Sequence, residues 1–99
     1  MVADKSIGGM EIIMKREVQI TNALGLNASN APHLVQLANG FKSSVWIETE
    51  DRRVNAKSLL GVISLGVKKD MKLILIAEGA DEQEAVDKLA EMIEKGFAQ

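Results

Sequence analysis

Residues 54–66 read Val54-Asn55-Ala56-Lys57-Ser58-Leu59-Leu60-Gly61-Val62-Ile63-Ser64-Leu65-Gly66, and the pattern changes period in the middle. Up to Ala56 the run closes a short strand, Arg52 to Ala56 (RRVNA). From Ser58 onward Leu59, Leu60, Val62 and Ile63 lie at helical spacing. Ser58 is a favoured N-cap and Gly66 a stop. A strand therefore passes straight into a short capped helix. Working backward, Ser43 to Glu50 (SSVWIETE) is a second strand, and only Glu50-Asp51 or so separates the two, which predicts a hairpin. Working forward, Lys68-Lys69-Asp70 is a polar turn and Met71 to Ala77 (MKLILIA) a further strand. Asp81 with Glu84 three residues on forms a capping-box-like start. Val86, Leu89, Ala90, Ile93 and Phe97 then make one helical stripe that ends near Gly96.

The N-terminal third obeys the same two periods. Met14, Arg16, Val18 and Ile20 alternate with Lys15, Glu17 and Gln19, as a half-buried strand requires. Thr21 to Gly25 reads as a loop. Ala31, Leu34, Val35 and Ala38 are spaced three and four apart, and Asn39-Gly40 supplies a terminator. Asn27, Ser29 and Asn30 are all plausible N-caps. Pro32 favours the later two, because proline belongs in a helix's first turn and clashes deeper in. The helix is thus expected to start at Ser29–Ala31. Residues 1–11 are Gly- and polar-rich and read as a loose extension to a domain covering residues 12–99; either Met10 or Met14 is an alternative start, or the segment is simply a disordered tail.

The order is β-α-β-β-α-β-α: an α+β fold, with a four-stranded antiparallel sheet and helices on one face. The 99 residues suffice for one core, and composition is ordinary at 46% hydrophobic and 26% charged. Cysteine is absent, which removes disulfides and thiolate metal clusters, and a lone His33 is too little for a metal site. A net charge of −2 with interspersed signs gives no nucleic-acid footprint. No apolar run approaches the roughly 20 residues that span a bilayer, and residues 1–10 lack secretory-signal features. The expectation is a soluble, cytoplasmic protein.

Alternation also predicts the sheet's two faces. Leu73, Leu75, Ala77, Val45 and Ile47 should meet the helices, leaving Trp46, Ile74 and Ile76 on the outer face. A contiguous apolar group with a tryptophan is less ordinary than scattered exposed residues. Either the extension folds over it, or it is a dimer or partner surface, or it stays in water.

Three stretches carry a family resemblance. Asn22-Ala23-Leu24-Gly25-Leu26-Asn27-Ala28-Ser29-Asn30-Ala31 is similar to the N-x-x-G-L-H-A-R-P-A motif of HPr, the histidine-containing phosphocarrier of the bacterial sugar phosphotransferase system. Residues 54–66 resemble that family's regulatory-serine segment, and Ala77-Glu78-Gly79-Ala80-Asp81-Glu82 follows at the expected distance. The resemblance covers about residues 13–97 and implies an open-faced β-sandwich with three helices on one side.

It also implies what is missing. Asn27 stands at the phosphorylated histidine, Ser29 at its arginine and Asn30 at the following proline. Neutral imidazole offers a lone pair near pH 7, whereas an amide nitrogen's lone pair is delocalised into the carbonyl. Without the guanidinium the bidentate phosphate clamp goes too. Asn27 and Ser29 therefore read as helix-capping residues, and His33 as a surface helix histidine. Ser58 matches the serine that a dedicated kinase phosphorylates in many bacteria, with Lys57 beside it as added positive charge and Leu59, Leu60 and Ile63 as the partner surface. The resemblance implies no enzyme and no cofactor. Expected partners are an HPr kinase, phosphotransferase-system proteins or a transcription regulator, as for catabolite repression HPr, which lacks the histidine yet keeps the serine. The alternative is a phosphocarrier that uses an unconventional residue.

Overall fold

The computed structural model describes residues 13–97. The proposed extension, residues 1–11, lies outside them. Seven elements follow in order: β1 (Met14–Gln19), α1 (Ala31–Asn39), β2 (Ser44–Glu48), β3 (Arg53–Asn55), α2 (Leu59–Ser64), β4 (Lys72–Glu78) and α3 (Glu82–Glu94). Each matches an expected element within a few residues, the usual uncertainty of element ends. The strands form one antiparallel sheet in the order β1-β4-β2-β3. The core lies between its inner face and the helices, an open-faced sandwich. Val18, Val45, Ile47, Leu73, Leu75 and Ala77 from the sheet, with Ile20 just past β1, meet Leu34, Val62, Val86, Leu89 and Ile93 from the helices, all buried.

The register explains the two faces. Ile47 sits opposite Leu75 and Val45 opposite Ala77 on the inner side, while Trp46 pairs with Ile76 on the outer side. Arg16 departs from its inward expectation. It shares the inner row of edge strand β1 but remains exposed, reaching Asp87 at 3.4 Å and Glu94 at 3.5 Å on α3. Such exposed pairs contribute about 0–1 kcal/mol, so the contact adds little to the stability of the fold.

Helix ends show where local reading holds. Gly96 lies at φ 65° after α3, with Phe97 N–H donating to Met92 O and Gly96 N–H to Ile93 O. That is the Schellman closure, in which a left-handed residue satisfies the last carbonyls. Gly66 ends α2 at φ 62° in the same conformation. Gly40 does not: its φ of −76° is right-handed, and α1 instead finishes in tightened turns from Gly40 to Leu37 O and Phe41 to Ala38 O.

The expected Asp81–Glu84 capping box is absent. Glu82 reaches back to the Gly79 N–H at 3.1 Å, and Asp81 turns away from its own helix. Its carboxylate accepts from Lys42 N–H and Ser43 N–H at 2.9 Å each, and from the Ser43 hydroxyl. Ser43 is buried here and Gly79 packs closely against it. A Cβ on Gly79 would lie 2.7 Å from Ser43 Cα. The Ser43 hydroxyl first, and then the Lys42 N–H, hold the Asp81 carboxyl down to about 2 from an ordinary 3.8. A lowered folded pKa means the stabilisation is complete above the unfolded value and is lost as pH falls toward the folded one. The urea midpoint should therefore fall between about pH 4 and about pH 2. In Asp81→Asn that part of the pH dependence should vanish; an unchanged acid profile in the variant would show that Asp81 is not its source.

Candidate functional site

The loop from Thr21 to Asn30 is held by its own amides. Asn22 Nδ2 and Asn30 Nδ2 both donate to Gly25 O, at 2.8 and 2.7 Å. Gly25 takes φ 66°, and the chain there lies directly against the α2–β4 connection, where Leu26 N–H donates to Val67 O at 3.1 Å. An ideal Cβ on Gly25 would come within 2.2 Å of that same Val67 oxygen. Only glycine satisfies both the backbone sign and the close approach.

Asn27 caps the turn that leads into α1. Its Oδ1 accepts from Ser29 N–H at 2.7 Å and Asn30 N–H at 3.1 Å, while Asn30 Oδ1 accepts from Asn27 N–H at 2.9 Å. Ala31 N–H already donates to Asn27 O, yet regular helix begins only at Ala31. Pro32 is the reason. It has no N–H to return to Ala28, and His33 donates only three residues back, to Asn30 O. The expected late start is thus present, with Pro32 in the first turn. The N-cap position of α1 is Asn30, whose side chain makes no cap hydrogen bond; of the two residues expected to cap the helix, Asn27 instead holds the turn before it, and Ser29 is exposed and contributes its backbone N–H. His33 lies exposed on α1, as a surface histidine should.

The second candidate position lies toward the other end of α1. Asn39 Nδ2 donates to Val35 O and to Lys57 O, which fastens α1's last turn to the loop that enters α2. Ser58 is exposed there with extended backbone (φ −106°, ψ 114°), and its Oγ accepts from Gly61 N–H at 3.1 Å. This is the N-cap geometry that the sequence predicts. The Nζ of Lys57, next to it in sequence, donates to Phe41 O at 2.8 Å. Arg52 closes the far end of α2, donating to Ser64 O at 2.6 Å and Ser64 Oγ at 2.9 Å, a contact that sequence spacing alone does not announce.

The expected partner surface is uneven. Leu60 is 82% exposed and Leu59 39%, whereas Ile63 is half-buried and packs on the core. Leu24, in the loop before Gly25, is 78% exposed and was not among the expected contacts. The outer-face group also divides: Ile74 is 36% exposed and Ile76 only 2%, with Arg53 stacked 4.6 Å from the Trp46 ring centre. An open patch of Trp46, Ile74 and Ile76 is therefore corrected to Ile74 and the free part of Trp46. Among the described residues there is no cluster of His, Cys, Asp and Glu fit for a metal, and no helix long and apolar enough to cross a membrane.

Comparison with known proteins agrees with this geometry. The family model described as the PTS HPr component phosphorylation site matches residues 14–95. The HPr-like protein Crh of Bacillus subtilis is 41% identical over 83 residues, covering 84% of this chain and 98% of that protein. The phosphocarrier protein HPr of Neisseria meningitidis serogroup B is 38% identical over 87 residues, covering 88% of this chain and 98% of that protein. Among solved structures, HPr-C-His from Thermoanaerobacter tengcongensis superposes with a TM-score of 0.83 at 41% identity, covering 87% of this chain and 97% of that one. The Crh crystal structure does so with 0.69 at 42% identity, covering 85% and 97%. Their names are those of a phosphocarrier and of an HPr-like protein, not of enzymes. With the motifs, the sheet order and these relatives in agreement, the chain belongs to the HPr family of the phosphotransferase system.

Proposed function

We propose that this chain is a cytoplasmic, HPr-like regulatory or adaptor protein that carries Asn27 where the family carries its phosphorylated histidine, and that phosphorylation of Ser58 controls it. The commitment of Asn27 carries the reading: its Oδ1 holds two backbone N–H groups of the turn, and its amide nitrogen has no free lone pair to attack phosphorus. Ser58 supports the second half, being exposed and at a helix start. Phosphorylation there adds nearly two negative charges beside Leu59 and Leu60, an alteration that a partner's surface reads directly. By family resemblance those partners are an HPr kinase, phosphotransferase-system proteins or a transcription regulator. The solved Crh structure is described as a swapped dimer, and T. tengcongensis HPr is also solved as a dimer, so self-association belongs to the same proposal.

Phosphoenolpyruvate and the first enzyme of the phosphotransferase system provide the test. The chain should acquire no acid-labile, base-stable phosphate. Asn27→His should recover little transfer, because Ser29 leaves a phosphate at residue 27 without a guanidinium. Efficient labelling of the unaltered chain would establish the alternative, a phosphocarrier with an unconventional acceptor. Near-normal transfer by Asn27→His would show that the clamp is dispensable.

A further inference from the structure

The outer face of the sheet carries charges in a pattern that inverts about its middle. On the central strand β4 the outward residues run Lys72, Ile74, Ile76, Glu78, so the two ends bear opposite signs. Ile74 lies between Glu17 on β1 and Glu48 on β2; Ile76 lies between Lys15 and Trp46. Turning this face end for end about Leu75 therefore exchanges Lys72 with Glu78, Ile74 with Ile76, and Glu17 with Lys15. On β2 the same turn exchanges Glu48 with Trp46, and the Arg53 guanidinium stands 4.6 Å over that indole. Among the described residues the helices pack against the inner face, which leaves Ile74 and part of Trp46 exposed at the centre of the outer one.

We propose that this face binds the same face of a second copy, sheet against sheet, about a two-fold axis that crosses β4 at Leu75 at right angles to the strands. Each strand then lies over its own counterpart, running the other way, and every contact occurs twice. Ile74 meets the second copy's Ile76, Glu17 its Lys15 and Lys72 its Glu78, while Glu48 meets the indole and the guanidinium stacked on it. Other two-fold stackings centred on β4 oppose like charges. An axis at Ile74 sets Glu17 on Glu17, one at Ile76 sets Lys15 on Lys15, and one along the strand sets Glu17 on Glu48. Opposed like charges suppress an association, so charge selects the axis at Leu75. The area is small: three inter-strand steps of about 4.8 Å and about 20 Å of strand give roughly 300 Å² of flat face per copy. Even with side-chain relief the total stays below about 1,200 Å², the range of transient complexes. Such pairing rests on the self-association proposed above and gives it a surface; it needs no exchange of strands and involves neither Asn27 nor Ser58.

Sedimentation equilibrium of the full chain, from micromolar to millimolar concentration, should show a reversible dimer that loosens as salt is added. Emission of Trp46, the only indole in the chain, should shift to the blue over the same range. Charge exchange between copies then tests the axis. Lys15→Glu sets carboxylate against carboxylate at both symmetry-related places, and Glu17→Lys sets ammonium against ammonium; each variant alone should have its dimer Kd raised at least about tenfold. Both residues are exposed on edge strand β1, so neither change reaches the core. An equal mixture of the two variants should pair again, because carboxylate then faces ammonium at both places. Variants that dissociate alone and stay apart when mixed would overturn the axis at Leu75. A dimer that survives both substitutions would overturn this face as the contact while leaving self-association to another surface, such as an exchanged strand. A chain that stays monomeric at millimolar concentration and low salt would overturn both.

Discussion

Gly25→Ala should lower the melting temperature by roughly 15 °C or more. Two costs add. A left-handed backbone costs a non-glycine residue about 1–2 kcal/mol. Overpacking adds about 1–3 kcal/mol, and here the methyl would meet Val67 O at 2.2 Å and Lys68 Cα at 2.8 Å. Neither is the far end of a flexible side chain; both are backbone, and Val67 O is the acceptor for Leu26 N–H. Relief would have to pull the Asn27 turn off the α2–β4 connection. The loss should total about 3–4 kcal/mol, a large share of the 5–15 kcal/mol that keeps a domain folded. Gly66→Ala is the control. Gly66 has nearly the same φ, 62°, with nothing within 4 Å of an added Cβ, so only the backbone term applies. Thermal unfolding of both variants decides: equal losses would mean that the Val67 contact contributes nothing.

Ser58→Ala should abolish labelling by an HPr kinase with ATP, while Asn27 and His33 variants label normally. Alanine also removes the cap on Gly61 N–H, at a cost of about 1 kcal/mol of helix stability. Loss of label with Ser58→Ala alone could then come from a frayed α2. Ser58→Asn separates the two, since asparagine caps as well as serine and has no hydroxyl to accept phosphate. Both variants should be unlabelled, and only the alanine variant should be less stable. Intact labelling in Ser58→Asn would move the modification to another residue and remove the basis for control at α2.

Much of this architecture was legible because it is encoded over three or four residues. The strand-to-helix change at Ala56–Ser58, the cap at Ser58, the late start of α1 at Pro32 and the stops at Gly66 and Gly96 all follow from local rules, and all are present. Alternation along β2 and β4 assigned the inner residues correctly for the same reason: period two is a property of the strand itself. A side-chain role for Asn27 at the entry to α1 was also legible, because its partners, Ser29 and Asn30, are its near neighbours, although the residue at the N-cap position itself is Asn30.

What escaped the sequence lies in contacts between segments far apart along the chain. Asp81 has the spacing of a capping box with Glu84. Its carboxylate instead goes to Lys42 and Ser43, which the fold brings beside it and where three donors converge on one acceptor. Lys57 stands next to Ser58 in sequence, but its ammonium is bound by the carbonyl of Phe41, in the loop after α1, sixteen residues earlier in the chain. Ile63 has helical spacing with Leu59 and Leu60, yet rotation of α2 on the core half-buries it. Ile74 and Ile76 are equivalent by period, and only their cross-strand neighbours, two glutamates against a lysine and a tryptophan, distinguish them. The sequence by itself determined the elements, their ends and the buried side of each strand, since these depend on backbone geometry and nearest neighbours. Only the tertiary structure decided which long polar side chains meet and which apolar ones remain open, because those outcomes depend on what a distant segment places within hydrogen-bonding or packing distance.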